Sequence, residues 1–221
     1  MSSNDRRLSH KATAAVALAV LLSSAICLAS KHFVMPRANA ASTYPAHDEH
    51  PTEKVTVALD PYDMADKANI FSIHYNEIGF VPIFVIVTND SDQPLSLADA
   101  TAQLVTVNRT KIPAATADDL YRRVARPSAT TTSANPLPWP KKVKDAVGKD
   151  QQQEMNDSQF AAHAVEPHSS QSGFMFFDVS GISAPLAGAT FYYTGLRDSK
   201  GNELMYFEIP LEKYLSAPSS K

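Results

Sequence analysis

The densest apolar stretch of the chain runs from Phe80 to Val87, with Val81, Ile83, Val85, Ile86 and Val87 supplying β-branched side chains. A short, continuous apolar run bounded by turn residues predicts a strand buried on both faces. Asn89-Asp90-Ser91-Asp92-Gln93-Pro94 then breaks the run with residues that favour turns. Leu95, Leu97, Ala102, Leu104 and Val105 resume a partly alternating pattern. Residues 79–107 therefore read as a hairpin around which the rest of the chain is arranged.

Before it, Lys54–Leu59 alternates as a strand ended by Asp60-Pro61, and Ile70–Tyr75 alternates more weakly as a second one. After it, Thr116-Ala117-Asp118-Asp119 has the form of a capped helix start. Leu120, Tyr121 and Val124 would be the apolar side of that helix, and Pro127 its stop. Residues 128–140 carry Pro136, Pro138 and Pro140 and predict an extended loop, followed by a sparse, partly helical stretch over 141–164. The β pattern returns in Phe174–Val179, then in Ala189–Leu196 and Glu203–Leu211, joined by the turn-forming Arg197–Asn202. In the last of these, Met205, Phe207, Ile209 and Leu211 share one face, and Leu204, Tyr206 and Glu208 the other.

About seven strands and one helical section predict a mostly β fold, an antiparallel immunoglobulin-like β-sandwich, with an open barrel as the alternative. The expected layout is a leader over 1–40, a polar linker over 41–53, the sandwich over 54–215 and a tail over 216–221. Residues 113–171 read as a partly helical insertion that the sandwich would fold without.

The leader changes the picture of where this domain works. Arg6, Arg7 and Lys11 precede an apolar run from Ala12 to Ala29, the order of a secretory signal or a signal anchor. Ala38-Asn39-Ala40 fits the small-x-small rule for cleavage but stands far from the apolar run, so both forms stay open. Ile26 before Cys27 does not suit a lipoprotein signal, and Asp5, Leu8 and Ser9 around the arginine pair match a twin-arginine signal poorly. Either form places the body outside the cytoplasm, periplasmic or extracellular, and touches the membrane through this segment alone.

Charge sharpens the division. The net charge is −3, while residues 1–40 hold Arg6, Arg7, Lys11, Lys31 and Arg37 against Asp5, a balance of +4 that leaves −7 for the rest. An acidic body argues against nucleic acid or anionic lipid as partner. The one cysteine, Cys27, lies in the leader, so the body has no disulfide and no thiol for catalysis or metal binding.

The stretch GFVPIFVIVTNDSDQPLSLADATAQLVTVNRTKI, with the later GFMFFDVS and LRDSKGNELMYFEIPL, resembles bacterial secreted immunoglobulin-like domains of unknown function. The resemblance implies a binding or structural module and brings no catalytic residues with it.

Candidate chemistry is thin. His47-Asp48-Glu49-His50 has the composition of a divalent-metal cluster inside a linker, and Asp60, Asp63 and Asp66 that of a Ca²⁺ loop without the glycine and terminal Glu of an EF-hand. No nucleophile elbow, Walker loop or dinucleotide fingerprint is present, and no cofactor is implied. Asn89-Asp90-Ser91, Asn108-Arg109-Thr110 and Asn156-Asp157-Ser158 are glycosylation sequons. Arg122, Arg123 and Arg126 cluster at a helix end, where they complement its dipole or anchor an acidic partner. Trp139, flanked by prolines, either pins the insertion or contacts a partner. The expected function is a non-enzymatic module binding another envelope protein or itself, through a sheet edge or the 113–171 insertion. The alternative is a carbohydrate-binding or hydrolytic sandwich using Tyr192, Tyr193 and Trp139 as platforms.

Overall fold

The computed structural model describes residues 32–126 and 147–217. In chain order the elements are β1 (Ala46–His50), β2 (Val55–Pro61), α1 (Ala65–Ala68), β3 (Phe80–Asn89), β4 (Leu95–Ser96), β5 (Thr101–Val105) and β6 (Lys111–Pro113). They continue with α2 (Ala117–Ala125), α3 (Lys149–Ser158), β7 (Ala164–Val165), β8 (Ser169–Asp178), β9 (Thr190–Thr194), β10 (Phe207–Pro210) and α4 (Glu212–Leu215). One four-stranded sheet has the order β1-β2-β3-β8, the other β10-β9-β5-β6, and β4 pairs with β7. Every pairing between these named strands is antiparallel. The chain is thus mostly β, as its periodicity predicts.

The two-sided burial of β3 is observed, and the layers explain it. Val81, Ile83, Val85 and Val87 point into a core shared with Leu104, Phe191, Phe207 and Ile209 of the second sheet. Phe80, Phe84 and Ile86 point the other way, into a cluster with Phe71, Tyr75, Leu120, Met155, Phe174 and Phe176. A strand in the middle layer must be apolar at both parities, and each such side chain contributes about 1.5–3 kcal/mol of burial.

That layering also overturns the hairpin expected over 79–107. β3 pairs with β2 and β8, whereas β5 lies in the other sheet between β9 and β6. The turn residues carry the chain across from one sheet to the other. Asn89 directs the crossing: it is fully buried, and its side-chain amide donates to the carbonyls of Gln93, Val165 and Glu166.

Three further expectations are corrected. The linker over 41–53 contains β1, an edge strand paired in register with β2 from Ala46↔Leu59 to His50↔Val55. Residues 70–75 keep the expected alternation, with Phe71, Ile73 and Tyr75 buried and Ser72 and His74 exposed, yet form no strand. The amides of Ser72 and Ile73 donate to the Glu154 carboxylate on α3 instead of to a ladder. The described parts of the 113–171 segment form a structural layer and not a dispensable insertion. Leu120, Val147 and Met155 cover the outer face of the first sheet, and the amides of Ala115 and Phe160 donate to the carbonyls of Phe176 and Phe174 on β8. Removing it would bare Phe80, Phe84, Phe174 and Phe176.

α2 starts where the sequence places it. Thr116 Oγ1 accepts from the Asp119 amide at 3.2 Å, and Asp119 Oδ2 accepts from the Thr116 amide at 3.0 Å. The Thr116 hydroxyl also donates to Asp119 Oδ2 at 2.7 Å, and this bond, with that from the Thr116 amide, holds the Asp119 carboxyl below its ordinary range. The apolar face predicted for the last strand is shorter than expected, because pairing begins at Phe207 and leaves Met205 72% exposed.

The apolar run of the leader, Ala12–Ala29, lies outside the described residues. Among the described residues no helix is long and apolar enough to cross a membrane. At their start, Phe33 stacks on Phe71 with ring centroids 5.4 Å apart.

Candidate binding face

Both lateral seams between the two sheets are closed by the chain itself. On one side Asp48 Oδ2 accepts the Glu208 amide at 2.9 Å, joining edge strand β1 to edge strand β10. His50 stacks on Phe207 beside it, centroids 3.9 Å apart. On the other side the chain leaves β6 after Pro113, and Ala114 bridges to Phe177 on β8. β6 is three residues long and ends in proline, two features that discourage strand addition. Partner capture at a long bare sheet edge therefore has little to work with among the described residues.

The outer face of the first sheet is covered by the helical layer. Among the described residues, the outer face of the second is the open one. Its register sets Glu208 beside Tyr192 and Tyr192 beside Gln103, with Thr101 beside Thr194. The Tyr192 hydroxyl donates to Glu208 Oε1 at 2.8 Å, and that bond raises its pKa because the carboxylate stabilises the protonated phenol. The Tyr206 ring lies 6.0 Å from that of Tyr192, and Tyr206 is 49% exposed. The hydroxyls of Thr101 and Thr194 are 2.8 Å apart. The result is a face of two adjacent aromatic rings, tilted 48° to one another, among hydroxyl, amide and carboxylate groups. Tyr193 does not join it: strand alternation turns it inward, where it is buried and its pKa is raised by desolvation.

The predicted contact residues do not converge. Arg122 is exposed and pairs with Asp119 at 3.0 Å in the same helix. Arg123 turns inward to Asp178, the Ile78 carbonyl and Ser180, with its guanidinium 5.2 Å from the Phe80 ring centroid. It fastens α2 to the first sheet and is not presented to a partner. Arg126 is exposed just beyond the helix. Trp139 lies outside the described residues, as does the proline-rich stretch around it.

The suspected metal motifs separate in the same way. Alternation along β1 splits His47-Asp48-Glu49-His50, and Asp48 and His50 are committed to the β10 seam. Asp60 is engaged by Lys67 at 2.5 Å. Among the described residues no three His, Cys, Asp or Glu side chains are grouped to hold a metal ion. Of the sequons, Asn89 is buried and its amide fully used, while Asn108 is exposed at the β5–β6 turn.

Sequence reasoning missed Glu154, whose carboxylate receives Ser72 Oγ at 2.5 Å as well as the two amides. The signal was an isolated acid in a sparse helix, without meaning until its partners 82 residues away are known. Tyr206 was legible as sharing a face with Glu208 but not as the neighbour of Tyr192. No family model matches the chain, and no curated protein matches it either.

Proposed function

We propose that the protein is an exported, non-enzymatic β-sandwich module of immunoglobulin-like architecture that mediates protein–protein interaction in the cell envelope. The single observation that supports this reading most is the open face of the second sheet, with Tyr192, Tyr206 and Glu208 side by side. Tyrosines on a rigid scaffold give large contact area at small entropic cost. The architecture is meant at the level of two packed antiparallel sheets. The β1-β2-β3 meander within one sheet differs from the strand order of antibody domains. Export rests on the basic start and apolar run of the leader, and periplasmic or extracellular placement follows from it. The stacking of Phe33 on Phe71 supports retention of the residues before Ala38-Asn39-Ala40, the anchored form.

The side chains that carry chemistry elsewhere are engaged in holding the fold here. Asp48 closes a seam, Glu154 replaces a ladder, and Arg123 pins a helix. The test is affinity capture from envelope extract with the full chain and with a Tyr192→Ala, Tyr206→Ala double variant. A partner retained by the natural chain and lost by the variant, with unfolding unchanged, supports the reading. Equal capture by both removes the face from it.

A second reading, carbohydrate binding, draws on the same pair of rings, since sugar rings stack on aromatic faces while Glu208 and Gln103 are placed for hydroxyl groups. Binding of polysaccharide by the natural chain but not by the double variant would favour it.

A further inference from the structure

A second constellation stands apart from that face, where the chain leaves β2. The Lys67 ammonium on α1 lies 4.9 Å from the centroid of the Tyr62 ring and 4.9 Å from that of the Tyr214 ring. It donates to Asp60 Oδ1 at 2.5 Å and to the Pro61 carbonyl at 2.9 Å. The Tyr214 hydroxyl is itself fixed, donating to Asp63 Oδ1 at 2.9 Å and reaching the Pro61 carbonyl at 3.2 Å. Asp66 adds a third negative charge to the surroundings of Tyr214.

Two aromatic faces, a carboxylate and a carbonyl around one nitrogen are the elements by which proteins recognise ammonium groups. An ordinary surface ion pair has neither the rings nor the carbonyl. Three aspartates against one lysine leave surplus negative charge, so the surroundings still favour a cation when the lysine is removed. The two short helices that meet here, α1 and α4, bury no side chain of their own. Tyr214 packs partly buried against the core, and the ammonium contacts add to that attachment.

We propose that Tyr62, Tyr214, Asp60 and the Pro61 carbonyl form an ammonium-binding cage. Its ligand is supplied in cis by Lys67, and its occupancy latches the C-terminal helix α4 to the β2–α1 corner. The cage is specific for the charged ammonium group and not merely for the volume of the lysine stem.

The test is chemical rescue in the full chain. Lys67→Ala lowers the melting temperature by a few degrees, and n-propylammonium chloride, which replaces the deleted atoms, restores part of it. The rescue exceeds the effect of the same salt on the natural protein, of sodium chloride at equal ionic strength and of 1-propanol. It is absent in the Lys67→Ala, Tyr214→Leu double variant. Equal effects of propylammonium on natural and variant chains, or equal rescue by propanol, overturn the proposal. Should Lys67→Ala fail to fold, Lys67→Met keeps the stem and removes the charge. Its amides over 212–217 then exchange hydrogen several-fold faster than in the natural chain, and unchanged exchange overturns the latch.

Discussion

The Asp48 carboxylate accepts the backbone amide of Glu208 at 2.9 Å, across 160 residues of sequence. It is the hydrogen bond that joins the edge of one sheet to the edge of the other. Asp48→Ala leaves that amide without its charged acceptor and is expected to cost about 1–2 kcal/mol in denaturant unfolding. Asp48→Asn keeps an acceptor and should lose less. Equal stability of all three chains would mean that the seam is held by the His50–Phe207 stack alone.

Glu154 has a larger structural task. Two amides and a hydroxyl of residues 72–73 depend on its carboxylate, which is 3% exposed. Glu154→Ala is expected to cost about 1–3 kcal/mol, because it leaves the buried Ile73 amide without its acceptor. Hydrogen exchange should quicken at Ser72 and Ile73 before it does in β3. Unchanged protection there would remove Glu154 from this role.

The Tyr75 hydroxyl runs the other way. It is buried and makes no hydrogen bond of normal geometry among the described residues, although the Ser158 side chain lies near enough to act on it. Burial and the neighbouring Glu154 carboxylate push its pKa well above the ordinary tyrosine range. Tyr75→Phe deletes an unsatisfied polar atom while keeping the ring contacts with Phe71 and Phe176. The variant should be more stable by about 1 kcal/mol, and a loss of that size would mean that the hydroxyl is bonded in solution.

Alkaline pH should loosen the domain through its tyrosines. Burial, helped by the Asp60 charge, pushes Tyr62 up to about 12. The native state therefore favours the neutral phenol. That contribution is intact below the ordinary value of 10.0 and is lost as the pH rises to about 12. Absorbance titration of tyrosinate should show a late group that ionises together with unfolding. A single transition near 10.0, with the fold intact, would contradict the burial of these rings.

Gly173 marks the closest backbone approach. A Cβ there would lie 2.5 Å from Phe160 Cα, where the chain after α3 crosses β8. Gly173→Ala should cost about 1–3 kcal/mol by forcing that crossing apart, measured by thermal unfolding. An unperturbed variant would show that the segment is free to shift.

Much of this architecture was written locally. Phe80–Val87 and Phe174–Val179 announce strands by composition, and Thr116 with Asp119 announces a helix, because each signal lies within a few residues of what it specifies. The alternation of residues 70–75 is present in the structure, with Phe71, Ile73 and Tyr75 on the buried side. It was wrong about the backbone, because hydrogen-bond partners are chosen in space and a carboxylate from α3 took the amides.

The candidate face followed the same division. The sequence offered Tyr192 and Tyr193 together as platforms and set Tyr206 on the face of Glu208, since period two is a property of the strand itself, but it did not say which face was outward. The adjacency of Tyr192 and Tyr206 depends on the pairing of β9 with β10. By itself the chain settled the mostly β character, the charge division between residues 1–40 and the rest, and the absence of cysteine after Cys27. Only the folded structure decided which sheet each strand joined, which face stayed open and which charged groups were spent on the fold. Those outcomes depend on contacts between residues far apart in sequence, and a local pattern carries no information about them.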